Sequence, residues 1–283
     1  VKSTNHILEL LGVFAASGFR LMPSSKRMVS SIQSLRYALP SINNIINEFP
    51  KNEKLHLSKN SKNEIKDIKK SILISDVSFK YDNQEKHVFQ KLNIEIPKGK
   101  ITGIKGTTGS GKTTMVNLIL GLVSPTNGSI FIDNNNFKDT KISSIHSLIG
   151  YVPQNIYLMD ASIKDNISFF SDEISSESIE DSIDKANLRK FVDQSIHGLA
   201  TNIGEKNSKI SGGQAQRIGI ARALAKKPRI LILDEATNAL DIRTENEILN
   251  GISNLKGELT IIIISHDENS LKICDKIIDL DNR

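Results

Sequence analysis

The sequence has a single cysteine, Cys274, among 283 residues, and no tryptophan. One cysteine cannot form an intrachain disulfide, which excludes a disulfide-stabilised secreted domain and favours a reducing compartment. These residues contain no secretory signal pattern. Apolar residues make up 38% and charged residues 24%, which is ordinary for a globular protein of one or two domains.

Aromatic residues are absent from the most basic segment of the chain. The net charge is +5, and part of this excess lies in residues 51–70, which contain seven lysines. Single-stranded nucleic acid needs aromatic stacking partners, and none interleave with these lysines. Nucleic acid is therefore not an expected partner, and the segment is predicted to be a solvated linker. The lysines are Lys51, Lys54, Lys59, Lys62, Lys66, Lys69 and Lys70.

A long hydrophobic run is missing as well. The apolar stretch at residues 7–22, ILELLGVFAASGFRLM, is too short to span a bilayer by itself and contains Glu9 and Arg20. Two interpretations remain open: a buried core helix, or the end of a transmembrane helix that begins upstream of Val1. Arg20 and the basic residues that follow it would suit a cytoplasmic flank.

An apolar stripe continues behind this stretch. Apolar residues recur three or four positions apart, as on a helix face that packs against neighbouring helices. Pro40 is predicted to kink this helix, and the pattern stops at Pro50. We therefore predict a helical region at 1–50, a linker at 51–70 and a globular domain at 71–283. The stripe consists of Met28, Ile32, Leu35, Leu39, Ile42, Ile46 and Phe49.

From residue 71 onward, short strand-like runs alternate with helical stretches. Four of the runs are nearly continuous apolar, β-branched segments, as in parallel strands that are covered on both faces. The predicted fold is an α/β domain with a mostly parallel sheet. The predicted strands are ILISDVSF, VFQKLNIEI, ITGI, SLIGYV, RILILD, LTIIIIS and KIIDL.

The segment GTTGSGKTT, from Gly106 to Thr114, contains a complete phosphate-binding loop between a predicted strand and a predicted helix. Its backbone N–H groups and the positive end of the following helix would hold phosphate oxygens. Lys112 is predicted to bind the outer phosphates, and the Thr113 hydroxyl to ligate Mg²⁺. The nucleotide-binding residues predicted here are Gly106, Thr107, Thr108, Gly109, Ser110, Gly111, Lys112, Thr113 and Thr114.

Two adjacent carboxylates follow the apolar strand RILILD. Asp234 stands at the carboxyl end of this strand, where ligands gather in open α/β sheets, and it is predicted to hold Mg²⁺. Glu235 is predicted to position or deprotonate the attacking water.

A second glycine-rich turn, ISGGQAQR, begins at Ile210. Ser211 is expected to cap a helix whose free N–H groups favour an anion. Since the first loop already encloses one side of a bound nucleotide, the second turn is expected to close over the γ-phosphate bound by another copy. The predicted assembly is two chains enclosing two nucleotides, with the contact made by Ser211, Gly212, Gly213 and Gln214.

Taken together, these motifs resemble the nucleotide-binding domain of ATP-binding cassette (ABC) proteins, from about Ser71 to Arg283. The resemblance implies a P-loop NTPase fold with a mostly parallel sheet, an antiparallel β subdomain and a helical subdomain. It also implies ATP and Mg²⁺ as cofactors and ATP hydrolysis as the activity.

The resemblance assigns further residues. Tyr81 would stack on adenine, Gln154 would contact Mg²⁺ and the transport domain, and His266 would contact the γ-phosphate. Residues 238–241 would communicate across the dimer. The family often has arginine after the histidine, where this chain has Asp267.

Two segments resemble ABC exporters in particular: IGEKNSKISGGQ, in which Glu205 would contact the membrane domain, and LMDASIKDNI. Residues 7–49 would then be the end of the last transmembrane helix and its cytoplasmic extension, and residues 19–42 are similar to lipid-linked oligosaccharide flippases. The implied location is an inner or plasma membrane, with the ATPase domain on the cytoplasmic side. The implied partners are transmembrane helices and a second copy of the chain.

Two alternatives remain. One is a soluble ABC ATPase subunit that docks on separate membrane proteins, which the apolar residues 7–22 argue against. The other is an ABC ATPase that acts on nucleic acid or ribosomes. Lys112 and Ser211 are too close in sequence for the coiled-coil insertion of chromosome-type members, and the chain has one cassette rather than two. The transported cargo is not indicated.

Overall fold

The computed structural model describes residues 2–53, 63–81, 86–204, 210–237 and 240–282. The chain divides into two compact units, residues 1–57 and 58–283. Each unit is described by itself.

The first unit is a helix, α1 (Lys2–Glu53). It continues through Pro40 and ends three residues beyond Pro50, where the apolar pattern stops. The stripe residues from Met28 to Ile46 are solvent-exposed within this unit; Met28, for example, is 69% exposed. The side chain of Phe49 lies outside the described part of the structure. Among the described residues, no helix combines the length and the apolarity needed to cross a membrane.

The second unit contains nine strands and eight α-helices in its described part. Short 3₁₀ helices cover Phe137–Asp139 and Gly198–Ala200. The strands are β1 (Ser71–Phe79), β2 (Phe89–Pro97), β3 (Ile101–Lys105), β4 (Asn127–Ile132), β5 (Asn135–Asn136), β6 (Ile149–Val152), β7 (Ile230–Asp234), β8 (Thr260–Ile264) and β9 (Lys276–Asp279). The helices are α2 (Lys112–Ile119), α3 (Ile142–Leu148), α4 (Ile163–Ser168), α5 (Ser176–Lys185), α6 (Arg189–Gln194), α7 (Gly212–Ala225), α8 (Ile242–Asn254) and α9 (Glu268–Leu271).

Five strands form a parallel sheet in the order β6-β7-β8-β3-β9. Every residue of β8 is buried, as expected for a strand that is covered on both faces. The other four strands form an antiparallel sheet in the order β2-β1-β4-β5. The predicted α/β fold with a parallel sheet and an antiparallel subdomain is confirmed.

The parallel register brings the carboxyl ends of four strands to one edge of the sheet. The phosphate loop follows β3, and Gln154 follows β6. Asp234 ends β7, and His266 comes just after β8. This edge is where open α/β sheets bind their ligands, so the fold itself brings the predicted site residues together.

Residues 63–70, the last part of the predicted linker, belong to the second unit and pack on its antiparallel sheet. Ile65 and Ile68 are buried in the same hydrophobic core as the antiparallel sheet. The Asp133 carboxylate, just after β4, accepts three backbone N–H bonds of 2.8, 2.7 and 3.1 Å from residues 69–71. Burial would raise the pKa of Asp133, but these donors outweigh it and the pKa is lowered. This part of the segment is therefore firmly attached to the globular unit.

The structure contains two strands that the sequence analysis did not predict, β4 and β5, and a third strand, β6, begins later than predicted. β4 and β5 lie in the polar segment NGSIFIDNNN, where only Ile130 and Ile132 give an alternating signal. The predicted run SLIGYV starts too early, because Ser147 and Leu148 end α3.

Candidate active site

The phosphate loop turns sharply between β3 and α2. Gly109 and Gly111 have positive φ angles of 86° and 99°, which favour glycine. A Cβ on Gly111 would also lie 2.8 Å from side-chain atoms of Phe89 and Val88. The loop folds around its own lysine: Lys112 Nζ donates to the backbone oxygen of Gly106 at 2.8 Å. The cradle is thus preformed around a positive charge.

Three predicted residues converge on Glu235. Gln154 Nε2 donates a hydrogen bond to Glu235 Oε2 at 2.8 Å. Lys112 Nζ and His266 Nδ1 each lie 3.6 Å from Glu235 Oε1. The Glu235 side chain is only 16% exposed, whereas that of His266 is 63% exposed. The structure therefore collects the residues assigned to the water and to the γ-phosphate around one carboxylate.

The backbone of Glu235 adopts the left-handed region, with φ of 49°. Its N–H donates to the Ile264 carbonyl at 2.9 Å, which ties the turn after β7 to the end of β8. A non-glycine residue held this way stores strain on the order of 1 kcal/mol. Such strain is common where a side chain must be aimed for function.

Asp234, beside it, is partly buried at the end of β7. Burial raises the pKa of the Asp234 carboxyl, and the Glu235 charge adds to this, while Tyr151 and Lys112 act in the opposite direction. A buried carboxylate next to a second carboxylate is well suited to a divalent cation. Mg²⁺ takes one or two protein carboxylates and completes its shell with phosphates and water, which fits Asp234 with the exposed Thr113 hydroxyl and the Gln154 amide.

Tyr151 is a contact that sequence reasoning missed. Its hydroxyl donates to Asp234 Oδ2 at 3.1 Å. Burial, and secondarily Asp234, raises the pKa of Tyr151, so the phenol keeps its proton as a donor. The two residues are far apart in sequence, and only the register of β6 against β7 brings them together.

Asp281 is a second missed contact. Its carboxylate accepts from the Thr107 N–H at 2.8 Å and from the Thr107 hydroxyl at 3.0 Å. The residue after β9 therefore steadies the first turn of the phosphate loop. Asp281 is a single aspartate after the last strand and belongs to no motif, so the sequence alone does not predict its contact with Thr107.

Tyr81 lies beside the start of α2. Its hydroxyl is 3.1 Å from Thr114 Oγ1, and its ring packs edge-on against Phe79 with centroids 4.9 Å apart. The ring is 37% exposed. Stacking of this ring on adenine stays a prediction.

The second glycine-rich turn begins α7 as predicted. The Ser211 hydroxyl accepts from the Gln214 N–H at 3.2 Å, and the Ser211 N–H donates to Gln214 Oε1 at 3.0 Å. A Cβ on Gly213 would lie 2.5 Å from Thr244 Cγ2, so this turn is packed tightly on α8. Ser211 and Gly212 are exposed.

The two glycine-rich turns are attached to different parts of the sheet. The phosphate loop follows β3, whereas α7 packs against β6. Three strand spacings separate β3 from β6, which is about 14 Å. The structure therefore groups Gln154, Asp234, Glu235 and His266 with the phosphate loop. Ser211 and Gly212 are exposed at the start of a helix that packs against a different strand.

The remaining predicted positions have simpler outcomes. Asp267, where the family often has arginine, caps α9 by accepting from the Ser270 N–H at 3.0 Å. Asp241 caps α8 in the same way. Glu205, Asn238 and Ala239 lie outside the described residues.

A phosphate loop, a strand-end carboxylate pair and a polarising amide at the carboxyl edge of a parallel sheet define a P-loop nucleoside triphosphatase site. The sequence pattern of one family, described as "ABC transporter", matches residues 89–238, which is more than half of the chain. The chain belongs to the ABC transporter family, and its second unit has the mixed α/β fold of that family's ATP-binding domain.

Curated relatives point in the same direction. The chain is 34% identical over 223 residues to the ATP-dependent lipid A-core flippase of Vibrio cholerae, covering 78% of this chain and 38% of the relative. It is 34% identical over 259 residues to the heterocyst differentiation ATP-binding protein HepA of a Nostoc species, covering 92% of this chain and 42% of the relative. The chain thus spans about two fifths of the length of these relatives.

A solved structure of similar fold is that of a bacterial Atm1-family ABC exporter with ATP bound. The TM-score is 0.72 and the identity is 32%. The match covers 79% of this chain and 39% of that chain.

Proposed function

We propose that this chain is the ATP-hydrolysing part of an ABC exporter or flippase, which powers transport across a membrane. The observation that carries the catalytic part of the proposal is the convergence of Gln154, Lys112 and His266 on Glu235, beside Asp234 and the phosphate loop. The transport part is supported by the exporter and flippase relatives.

The proposed reaction is in-line attack of water on the γ-phosphate. Glu235 accepts the proton from water, and the Gln154 amide, which already contacts this carboxylate, orients the pair. Lys112 stabilises charge on the outer phosphates, and the exposed His266 contacts the γ-phosphate. Thr113, Gln154 and Asp234 would hold Mg²⁺, which would neutralise part of the phosphate charge.

Bound ATP changes the partners of Lys112. Its ammonium now lies among the loop carbonyls and 3.6 Å from Glu235. The phosphate oxygens of ATP bound in the loop would compete with Glu235 for this ammonium. In this proposal, the bound phosphates draw Lys112 away from Glu235, so that the carboxylate is available to interact with the attacking water and to act as the base.

A second copy of the chain completes the proposed site. Ser211 and Gly212 expose a helix start whose backbone N–H groups favour an anion. Tight packing of Gly213 on Thr244 fixes the orientation of this helix start on its own protomer. Closure of two such protomers around two ATP molecules is the proposed step that drives the membrane helices.

An aromatic surface is the proposed docking site for transmembrane-domain helices. Tyr157, Phe169 and Phe170 are 74%, 55% and 63% exposed. Arg222 joins them, since it donates to the Tyr157 carbonyl at 3.1 Å and lies 5.3 Å over the Phe169 ring. Exposed aromatic clusters of this kind mark protein interfaces.

The exposed apolar side chains of α1 are likewise proposed to pack on membrane helices, with the ATPase unit on the cytoplasmic side.

Substitution Glu235→Gln tests the catalytic proposal. It keeps the shape of the side chain and removes its basicity, so ATP binding should change by less than about twofold while turnover falls about 10²- to 10⁴-fold. Dimer should accumulate with ATP and Mg²⁺, as measured by light scattering on a sizing column. The matched control is Glu177→Gln, which changes an exposed glutamate of α5 and should turn over ATP normally. If Glu235→Gln turns over ATP normally, Glu235 does not accept the proton from the attacking water.

A further inference from the structure

Tyr151 lies on β6, the edge strand of the parallel sheet, and it is paired with Ile232 of β7. Side chains of paired residues in neighbouring strands point to the same face, and so do residues two apart on one strand. Tyr151 and Asp234 therefore share a face, offset by two residues, or about 7 Å along the strand. A tyrosine side chain bridges this offset, and its hydroxyl reaches Asp234 Oδ2 at 3.1 Å.

The contact is part of a paired arrangement. Gln154, three residues further along, donates to Glu235 at 2.8 Å. β6 and its following loop thus supply one donor to each of the two adjacent carboxylates. The Tyr151 ring is 37% exposed, so it is not needed to fill the core.

We infer that Tyr151 is a positioning residue for magnesium: its hydroxyl engages Asp234 Oδ2, fixes the rotation of the carboxylate and presents Oδ1 to the metal or its water shell. The inference rests on the proposed role of Asp234 in holding Mg²⁺. Tyr151 does not itself touch metal or nucleotide. Tyr151 acts only on the orientation of the Asp234 carboxylate relative to the metal.

Substitution Tyr151→Phe removes the hydroxyl and keeps the ring. In the Glu235→Gln background, where turnover is expected to be slow, ATP binding is measured by calorimetry in EDTA and at graded Mg²⁺ concentrations. Affinity in EDTA should change by less than twofold. The Mg²⁺ concentration that gives half of the metal-dependent gain in affinity should rise about three- to tenfold, which corresponds to the typical net contribution of one hydrogen bond. In the otherwise unaltered chain, turnover should recover at saturating Mg²⁺.

The inference is overturned if the Mg²⁺ half-saturation of Tyr151→Phe is unchanged or lower, because a tyrosine that only strengthens the strand, or that competes with the metal for Asp234, would give those results. Tyr37→Phe, which removes an exposed phenol from α1, is the matched control and should respond to Mg²⁺ normally.

Asp234→Asn separates this inference from the function on which it rests. If Asp234→Asn raises the Mg²⁺ requirement and Tyr151→Phe does not, only the role of Tyr151 fails. If neither substitution changes it, the metal role of Asp234 fails, and the inference fails with it.

Discussion

The phosphate loop and the turn at Ser211 are both glycine-rich helix starts, but the chain builds them in opposite ways. The phosphate loop is closed around Lys112, and its carbonyls already bind that ammonium. The turn at Ser211 satisfies its own cap through Gln214 and leaves Ser211 and Gly212 exposed. In the proposed function, the phosphate loop binds ATP on its own protomer, and the exposed turn at Ser211 contacts the ATP that is bound by a second copy. The comparison predicts that substitutions in the phosphate loop weaken ATP binding, whereas substitutions at Ser211 reduce turnover and dimer formation.

The largest effect on ATP binding is expected from Lys112→Ala. Loss of a charged donor to phosphate should weaken ATP binding about 10- to 100-fold, at any protein concentration, as measured by equilibrium dialysis. Lys190→Ala, which removes an exposed lysine of α6, is the control and should bind ATP normally. If Lys112→Ala binds ATP with unchanged affinity, the prediction that Lys112 binds the outer phosphates is wrong.

Ser211→Ala should have a different result. In dilute protein its ATP affinity should match the unaltered chain, while turnover and ATP-dependent dimer formation should fall, turnover by about tenfold. The lost helix cap should also cost about 1 kcal/mol of stability. Ser175→Ala removes an equivalent cap, a Ser178 N–H bond of 3.2 Å, and should cost similar stability without the loss of turnover. If Ser211→Ala weakens ATP binding in dilute protein as Lys112→Ala does, the division between the turns is wrong.

The last comparison separates two glycines within the phosphate loop by their effect on stability. Gly111→Ala puts a methyl group 2.8 Å from buried Phe89, in addition to backbone strain, and should lower the free energy of unfolding by about 2–4 kcal/mol. Gly109→Ala meets no atom within 4 Å and should cost only about 1 kcal/mol from its positive φ. Urea titration measures both values. Equal losses would show that packing does not distinguish these positions.

The sequence predicts the parts of this site that depend on local chemistry. The glycines and Lys112 follow from the spacing of one loop, and Asp234 follows from its place after an apolar strand. The helix start at Ser211 follows from cap chemistry, and the structure has all these residues where the patterns put them.

The parts that could not be predicted depend on long-range register or on weak patterns. Tyr151 meets Asp234 only because β6 and β7 are aligned in parallel, and nothing near either residue encodes that alignment. β4 and β5 are polar enough to be taken for a loop until β1 pairs with β4. The lysines after residue 50 suggested a solvated linker, but Ile65 and Ile68 within it are buried.

The attachment at Asp133 has a structural consequence. Its carboxylate holds three consecutive backbone N–H groups, and Ile65 and Ile68 anchor the same stretch a few residues earlier. One side chain therefore holds the entry to β1: loss of the Asp133 carboxylate would leave the N–H groups of residues 69–71 without this acceptor all at once, and the attachment of this stretch to the antiparallel sheet would then depend on Ile65 and Ile68.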